Sequence, residues 1–249
     1  MRMRNGVATL AAFTIVLLLS SCSGGDDRET VLVMAASSLT DAFIEIETAF
    51  EAANPEIDVQ LNLAGSASLL EQIVQGAPAD VFASANASTM QAVVDAGAAN
   101  TSTPFAGNTL QIAVPLGNPA NVSDIADLAD PDLLVGLCGE QVPCGQFARQ
   151  ALDQAGVVAS IDTNEGDVRA LVTKLEAGEL DAGIVYATDV IASPEIEGIA
   201  LPANIDVAIT YPIAVLTDSP NPDLARTFFD FVLSARGQAL LADAGFIAP

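Results

Sequence analysis

Three short segments within residues 34–85 decide the fold: AASSLT at 35–40, AGSAS at 64–68 and GAPADVFASA at 76–85. The first two are hydroxyl-rich turns between an apolar run and an amphipathic run, and the third contains another apolar run. Apolar runs that alternate with helical patterns predict a parallel sheet with helical connections. The two turns would then lie at the carboxyl ends of neighbouring strands, where helix starts form a pocket suited to a small anion.

The pattern continues through the chain as two α/β sets. We expect strands at 31–35, 58–63, 81–83, 109–114, 133–137, 182–186 and 208–216. We expect helices at 39–53, 67–75, 87–96, 146–155, 168–177 and 234–244, and one that starts at Asn221-Pro222. Because two long strands link the sets, the sequence predicts a two-lobed α/β fold with mostly parallel sheets, helices on both faces and a double crossover hinge. The first lobe would contain residues 30–108 and 212–249 and the second residues 109–211; a single doubly wound domain is the alternative.

The amino-terminal residues predict export. Two arginines, an apolar run too short to span a bilayer and small residues before Cys22 are typical of a signal peptide over residues 1–21. Residues 19–22, LSSC, resemble a bacterial lipobox, which implies cleavage before Cys22, acylation of its thiol and a lipid-anchored tether over residues 22–29. An ordinary signal peptide with an incidental cysteine is the alternative. The lipobox reading places the protein outside the cytoplasm, anchored to the cell membrane.

The charged residues exclude several classes of function. The formal net charge is −24, which argues against nucleic acid as a partner and against adhesion to anionic lipid. The chain has no His, so hydrolysis by Ser or Cys with a histidine base is impossible, and the single lysine, Lys174, sits mid-helix. We therefore expect no enzyme and no cofactor. Cys138 and Cys144 form an even pair outside the reducing cytosol, either as a disulfide or as two free buried thiols.

Four predicted helix starts share the capacity to bind an anion. They carry Ser38, Ser66, Cys144 and Val168, and helix amino ends expose unpaired N–H groups and a partial positive charge. Tyr186, at the end of its strand, would add a phenolic O–H. Each residue also has an ordinary structural interpretation: serines often cap their own helices, Cys144 would be structural, and Tyr186 a core residue.

Several motifs together resemble those of the periplasmic molybdate-binding proteins of ABC importers: AASSLTDA at 35–42, QGAPADVFASA at 75–85, DVR at 167–169 and GIVY at 183–186. The resemblance extends from about Val31 to the carboxyl end. It implies the two-lobed type II periplasmic binding protein fold and a tetrahedral oxyanion, molybdate or tungstate, whose metal enters only as the bound oxyanion. It also implies a membrane permease of an ABC importer as partner, and we expect a monomer.

The resemblance assigns the ligand contacts residue by residue. Hydroxyl and backbone N–H groups of Ser38 and Ser66, backbone N–H groups of Cys144 and Val168, and the hydroxyl of Tyr186 would hold the anion. The chain departs from the family where PCG replaces the usual Pro-Ala-Gly turn at 143–145, and Ser68 is an alternative to Ser66.

Other ligands and roles stay open at this point. Molybdate is an acceptor-only dianion that matches a donor-only site, whereas hydrogen phosphate would favour a carboxylate acceptor. Sulfate is acceptor-only as well, so another tetrahedral oxyanion such as sulfate is the main alternative. An iron chelate, or a sensory or adhesive lipoprotein without a transporter, are further alternatives.

Overall fold

The computed structural model describes residues 28–249. The signal peptide expected at 1–21, Cys22 and most of the 22–29 tether therefore lie outside the described residues. Within residues 28–249, none of the helices combines the length and the apolar character that crossing a bilayer requires.

Ten strands and eight helices make up the described part of the chain. The strands are β1 (Glu29–Ala36), β2 (Ile57–Ala64), β3 (Val81–Ala83), β4 (Thr103–Asn108), β5 (Leu110–Pro115), β6 (Val135–Cys138), β7 (Ile161–Glu165), β8 (Ala182–Tyr186), β9 (Ile196–Ala200) and β10 (Ile209–Val215). The helices are α1 (Thr40–Ala53), α2 (Ser66–Val74), α3 (Ala87–Asp95), α4 (Pro143–Ala155), α5 (Val168–Glu176), α6 (Ala187–Ala192), α7 (Pro222–Leu233) and α8 (Ala235–Asp243). A 3-10 turn, Ser37–Leu39, leads directly into α1.

The strands form two five-stranded sheets with the same plan, one for each lobe. The first has the order β2-β1-β3-β10-β4 and the second the order β7-β6-β8-β5-β9. In the first sheet only β10 runs against the other four strands, and in the second only β5 does. The sheets are thus mixed, with four strands of each pointing the same way, and the reversed strand is in each case the one that arrives from the other lobe.

The chain crosses between the lobes twice. It leaves the first sheet after Asn108 and enters the second at Leu110, so that Thr109 is the whole connection. It returns between Ala200 and Ile209. The lobe boundary expected at residue 212 falls inside β10, all seven residues of which pair in the first sheet. The second crossing lies before Ile209, because an unbroken strand belongs to one sheet along its whole length.

Helices cover both faces of the first sheet. Alternate residues of β1 belong to different core clusters: Val33 packs with the cluster of α1 and α7, and Met34 with that of α2 and α3. This alternation follows from the strand period of two. Phenylalanines concentrate between α1 and α7, where the Phe50 and Phe228 ring centroids lie 5.3 Å apart.

Three strands and one helix lack a clear sequence signal. The strands β4, β7 and β9 were not predicted, and each lies at the edge of its sheet. Edge strands are only partly covered, so they need no continuous apolar run; β7, with the sequence IDTNE, has no fully buried residue. The helix α6 has six residues, which is too short for a helical period to stand out.

Asp80, in the GAPAD segment, joins three parts of the first lobe. Its carboxylate is fully buried. One oxygen accepts a hydrogen bond from the Leu32 N–H at 2.7 Å, and the other accepts from the Asn221 N–H at 3.0 Å and from the Ser219 hydroxyl. These bonds tie the start of β3 to β1 and to the beginning of α7. Asp80 therefore has a structural role, although it belongs to one of the three segments that decide the fold.

We expect Asp80→Ala to lower the free energy of unfolding by about 2–5 kcal/mol, because two backbone N–H groups lose the buried carboxylate that accepts from them. Urea denaturation followed by circular dichroism measures the change. Asp132→Ala, at an exposed position, is the matched control and should change stability by less than about 0.5 kcal/mol. Equal stability of the two variants would contradict this role of Asp80.

Candidate functional site

A narrow cavity of about 10 Å³ lies between the two lobes. All five residues that the sequence analysis assigned to the ligand line this cavity, and seven further residues complete the lining. The twelve lining residues are Ala36, Ser37, Ser38, Gly65, Ser66, Ala85, Val142, Pro143, Cys144, Asp167, Val168 and Tyr186. Among the described residues, no Lys or Arg belongs to this lining. The polar surface of the cavity therefore consists mainly of neutral groups and helix ends.

Three helix starts face this space without a side-chain cap. The 3-10 turn before α1 follows Ala36, α2 follows Gly65 and α4 follows Val142, and in none of the three does the preceding side chain cap the helix. Their first N–H groups keep hydrogen-bonding capacity that a ligand can use. Ser38 and Ser66 lie within these first turns, so the interpretation of the two serines as helix caps is not supported.

Ser66 is oriented as a hydrogen-bond donor toward the cavity. Its Oγ accepts a hydrogen bond from the Ala85 N–H at 3.0 Å, and a backbone N–H can only donate. The hydroxyl hydrogen of Ser66 is therefore left for another acceptor. Ser66 is buried and lines the cavity, whereas Ser68 is exposed and does not. The geometry favours Ser66 over the alternative Ser68.

Tyr186 brings a hydroxyl that has no partner within the described part of the chain. It ends β8, its ring packs edge-on against Phe147, and its buried Oη makes no hydrogen bond. Burial, with Tyr211 and Asp189 adding to it, raises the pKa of Tyr186 well above its ordinary value. The group stays a neutral O–H, and a buried O–H without an acceptor costs about 1–3 kcal/mol.

Cys144 lies in the first turn of α4. This helix begins at Pro143, three residues before the expected start at residue 146. The sulfur of Cys144 is bonded to that of Cys138 at the end of β6, with an S–S distance of 2.07 Å. The turn is packed tightly: a Cβ added to Gly145 would lie 2.0 Å from the carbonyl oxygen of Gly139. The disulfide and this close approach hold the amino end of α4 against β6.

Val168 begins α5, and its N-cap residue Asp167 was not expected at the cavity. The Asp167 carboxylate accepts a hydrogen bond from the Ala170 N–H at 3.0 Å, so it caps α5. Asp167 is the acidic residue of the lining. Its negative charge lies at the positive end of a helix, which offsets part of the repulsion toward an anion.

The two lobes approach closely beside the cavity. A Cβ on Gly65 of the first lobe would lie 2.8 Å from the carbonyl oxygen of Gly166 and 3.2 Å from the Cβ of Asp167 in the second. Any side chain at position 65 would hold the lobes apart. Glycine is therefore required here by the distance between the lobes.

Two polar contacts join the lobes next to this approach. The Asn86 side-chain amide donates to Gln146 Oε1 at 2.9 Å, and the Arg169 guanidinium pairs with the Asp41 carboxylate. Both partners of the ion pair are partly exposed, so it contributes about 0–1 kcal/mol. The direct contacts between the lobes at this edge are thus few and weak.

A larger cavity of about 410 Å³ opens on the other side of Ser38, between α1, α6 and α8. Its lining is mostly apolar, and its charged members are three acids, Asp41, Glu45 and Asp243. This combination does not suit an anion. Within residues 28–249, no group of three or more His, Cys, Asp or Glu side chains is placed to hold a metal ion.

Asp189 is a buried carboxyl group directly behind Tyr186. Its Oδ2 accepts a hydrogen bond from the Tyr186 N–H at 3.1 Å. Burial raises the pKa of Asp189 to about 7, against the lowering effects of this hydrogen bond and of Arg169, while Asp41 and Asp167 add to the increase. The carboxyl group therefore changes charge near neutral pH.

This increase makes the stability of the fold depend on pH. Because the folded pKa of about 7 exceeds the ordinary 3.8, Asp189 stabilises the fold most below about pH 4 and loses this contribution as the pH rises through 7. We expect Asp189→Asn to gain about 2–4 kcal/mol relative to wild type between pH 4 and pH 8. Urea denaturation across this range measures the difference; a difference that stays constant with pH would contradict the expectation, and exposed Asp132→Asn is the control.

Sequence reasoning missed Tyr211 and Asn108, whose side chains support Ser38. The Tyr211 hydroxyl lies 3.1 Å from Ser38 Oγ, and Asn108 Nδ2 lies 3.4 Å from the Tyr211 hydroxyl. Tyr211 is one of only two tyrosines in the chain and interrupts an apolar strand, which was the available signal. Its proximity to Ser38, 173 positions away, could not be read from the sequence.

Comparison with known proteins gives consistent matches over most of the chain. The family model described as "Bacterial extracellular solute-binding protein" matches residues 31–247. The chain is 38% identical over 222 residues to the molybdate-binding protein ModA of Mycobacterium tuberculosis, covering 88% of this chain and 85% of that protein. It is 30% identical to YvgL of Bacillus subtilis, a putative ABC transporter substrate-binding lipoprotein, over 97% of this chain and 96% of that protein.

A solved structure has the same fold. The periplasmic molybdate-binding protein of Azotobacter vinelandii superposes with a TM-score of 0.79 at 19% identity, covering 88% of this chain and 99% of that one. At this identity the match concerns the fold alone. It agrees with the predicted two-lobed α/β architecture of the periplasmic binding proteins.

Proposed function

The chain belongs to the family of bacterial extracellular solute-binding proteins, and we propose that it captures molybdate in the cavity between its lobes. The ligand would be held by Ser38, Ser66, Cys144, Val168 and Tyr186, all of which line that cavity. The identity of 38% with a protein named as molybdate-binding supports this choice of ligand. Tungstate, which has the same charge and shape, would bind in the same way.

The unpartnered hydroxyl of Tyr186 is the observation that carries the proposal. It is buried, it stays protonated, and it lies in a cavity that also faces uncapped helix starts. A group of this kind is stable only if something else supplies an acceptor. A small anion with oxygen atoms on every side would satisfy it together with the helix N–H groups.

The magnitudes allow tight binding without a cation. A hydrogen bond to a charged group contributes roughly 1.5–3 kcal/mol, so that about six of them would supply roughly 9–18 kcal/mol before the cost of association. Micromolar to nanomolar affinity requires about 8–12 kcal/mol. Net charge does not oppose this, because the surface charge is screened beyond about 8–10 Å.

The donor character of the cavity selects among oxyanions. Molybdate, tungstate and sulfate are acceptor-only dianions, whereas hydrogen phosphate carries a proton that needs an acceptor. Ser66 offers a hydrogen and Tyr186 offers a hydrogen, while Oδ1 of the Asp167 carboxylate accepts from the Ala170 N–H and caps α5. Sulfate is therefore the second candidate, since it presents the same charge and the same acceptors.

In the cell, we propose that the protein passes its ligand to the membrane permease of an ABC importer. Members of this family act outside the cytoplasm. Anchoring through an acylated Cys22 would keep the protein at the membrane, and the name of the YvgL relative includes the word lipoprotein. The first lobe would contain residues 30–108 and 212–249 together with the first residues of β10, and the second lobe the rest of residues 109–211. The two lobes would close on the ligand. The protein would act as a monomer, without a cofactor and without catalysis.

Isothermal titration of the mature protein with molybdate, tungstate, sulfate and phosphate tests the ligand. We expect strong heat with molybdate and tungstate and much weaker binding of the other two. Ser38→Ala and Ser66→Ala should each weaken molybdate binding by about 1–3 kcal/mol, because each removes a hydroxyl donor. Exposed Ser68→Ala is the matched control and should leave the affinity unchanged.

Each alternative gives a different result in this titration. Heat with sulfate alone would replace molybdate by sulfate, and silence with all four anions would refute oxyanion binding. Undiminished molybdate affinity in both Ser38→Ala and Ser66→Ala would show that the hydroxyl groups do not contact the ligand.

Tyr186→Phe should separate binding from folding. We expect molybdate affinity to fall about tenfold, because one donor to a charged group is lost. The ligand-free protein should be as stable as wild type or more stable, because the variant no longer buries an O–H without a partner. Thermal unfolding without ligand and calorimetry with ligand measure the two effects; a large loss of ligand-free stability would assign the hydroxyl a structural role instead.

A further inference from the structure

Tyr211 is a buried side chain behind the proposed site: its hydroxyl meets Ser38, and its ring packs edge-on against that of Tyr186, with 6.0 Å between the centroids. It lies in β10, the reversed strand of the first sheet, and is fully buried. Its hydroxyl lies 3.1 Å from Ser38 Oγ and 3.4 Å from Asn108 Nδ2. Either hydroxyl of the Ser38–Tyr211 pair could be the donor, so the direction of this bond depends on Asn108.

The orientation of Asn108 follows from its backbone neighbour. Its Oδ1 accepts a hydrogen bond from the Thr109 N–H at 2.8 Å, which places the oxygen of the amide on that side. Its Nδ2 therefore faces Thr188 Oγ1 at 2.9 Å and the Tyr211 hydroxyl at 3.4 Å. Because an amide nitrogen only donates, the Tyr211 oxygen accepts a hydrogen from Asn108.

The direction of the next bond is then determined. Burial raises the pKa of Tyr211 above its ordinary value, so its hydroxyl keeps its hydrogen. Of the two groups within hydrogen-bond distance of the Tyr211 hydroxyl, Asn108 Nδ2 can only donate, so Ser38 Oγ is the acceptor for the Tyr211 hydrogen. Ser38 therefore accepts on the side of Tyr211, and its own hydrogen is free to turn toward the cavity.

We propose that Asn108 and Tyr211 are positioning residues that orient Ser38 as a donor and thereby make the site select unprotonated oxyanions. This inference rests on the proposed function, since it names how that same site distinguishes its ligand. A Ser38 hydroxyl free to reverse would present a lone pair, which repels a fully deprotonated dianion and suits an anion that carries a proton. Orientation by Tyr211 removes that second state.

Ser66 provides an internal comparison. Its oxygen is occupied by the Ala85 N–H, a backbone donor that no substitution of a side chain removes directly. Ser38 receives its hydrogen bond from a side chain instead. Both serine hydroxyl groups would thus donate toward the cavity, but only the orientation of the Ser38 hydroxyl depends on the identity of other side chains.

A double-mutant cycle tests the proposal. In Tyr211→Phe the ring and its edge-on contacts with Phe105 and Phe246 are kept, and only the hydroxyl is lost. We expect the molybdate affinity to fall about five- to twentyfold, and the preference for molybdate over phosphate to decrease. In a Ser38→Ala background the same substitution should change the affinity less than about twofold, because Tyr211 acts through Ser38.

The matched control is Thr188→Val, which removes the other acceptor of Asn108 but is not between Asn108 and Ser38. Its molybdate affinity should stay within about twofold of wild type. Thermal unfolding of every ligand-free variant checks that the fold is kept.

The outcomes distinguish this inference from the proposed function. If wild type binds molybdate but Tyr211→Phe weakens binding equally with and without Ser38, or not at all, the role of Tyr211 is refuted and molybdate capture stands. If wild type binds no oxyanion, the proposed function fails and this inference fails with it. The inference is supported if Tyr211→Phe weakens molybdate binding only when Ser38 is present and also reduces the preference for molybdate over phosphate.

Discussion

A buried donor has to find an acceptor, and the space between the lobes concentrates donors without one. The Tyr186 hydroxyl has no partner within the described part of the chain, and three helix starts face the same cavity without side-chain caps. Each such group costs free energy when it is left unpaired. The fold accepts this cost because the sheets hold the groups from both sides, and one small anion would satisfy them together.

Polarity, more than charge, sets what the cavity accepts. No Lys or Arg lines it among the described residues, and the chain as a whole is strongly acidic. The attraction for an anion therefore comes from oriented O–H and N–H groups at short range, where screening is weak. The Ala85 N–H occupies the Ser66 oxygen from behind, and the proposed donation from Tyr211 would do the same for Ser38. On the proposed function, such a site would discriminate by protonation state as well as by size.

The way the lobes are joined leaves the cavity beside their few direct contacts. The direct bonds beside the cavity are an amide pair, Asn86 with Gln146, and a partly exposed ion pair, Arg169 with Asp41. These contribute little by themselves. An anion that bridges Ser38 and Ser66 of the first lobe to the amino ends of α4 and α5 of the second would add several charge-assisted hydrogen bonds at once. Gly65 permits this approach because a side chain there would meet Gly166.

The sequence by itself indicated the alternation of strands and helices through local periodicity, and its family resemblance indicated the two-lobed fold and five residues that the structure places among those lining the cavity. It did not determine the edge strands β4, β7 and β9, which carry no apolar run since one of their sides is open. Nor did it determine the position of Tyr211 beneath Ser38 or of Asp167 at the cavity. Hydrogen-bond direction depends on partners far apart in the chain, and only the tertiary structure decides which of them meet.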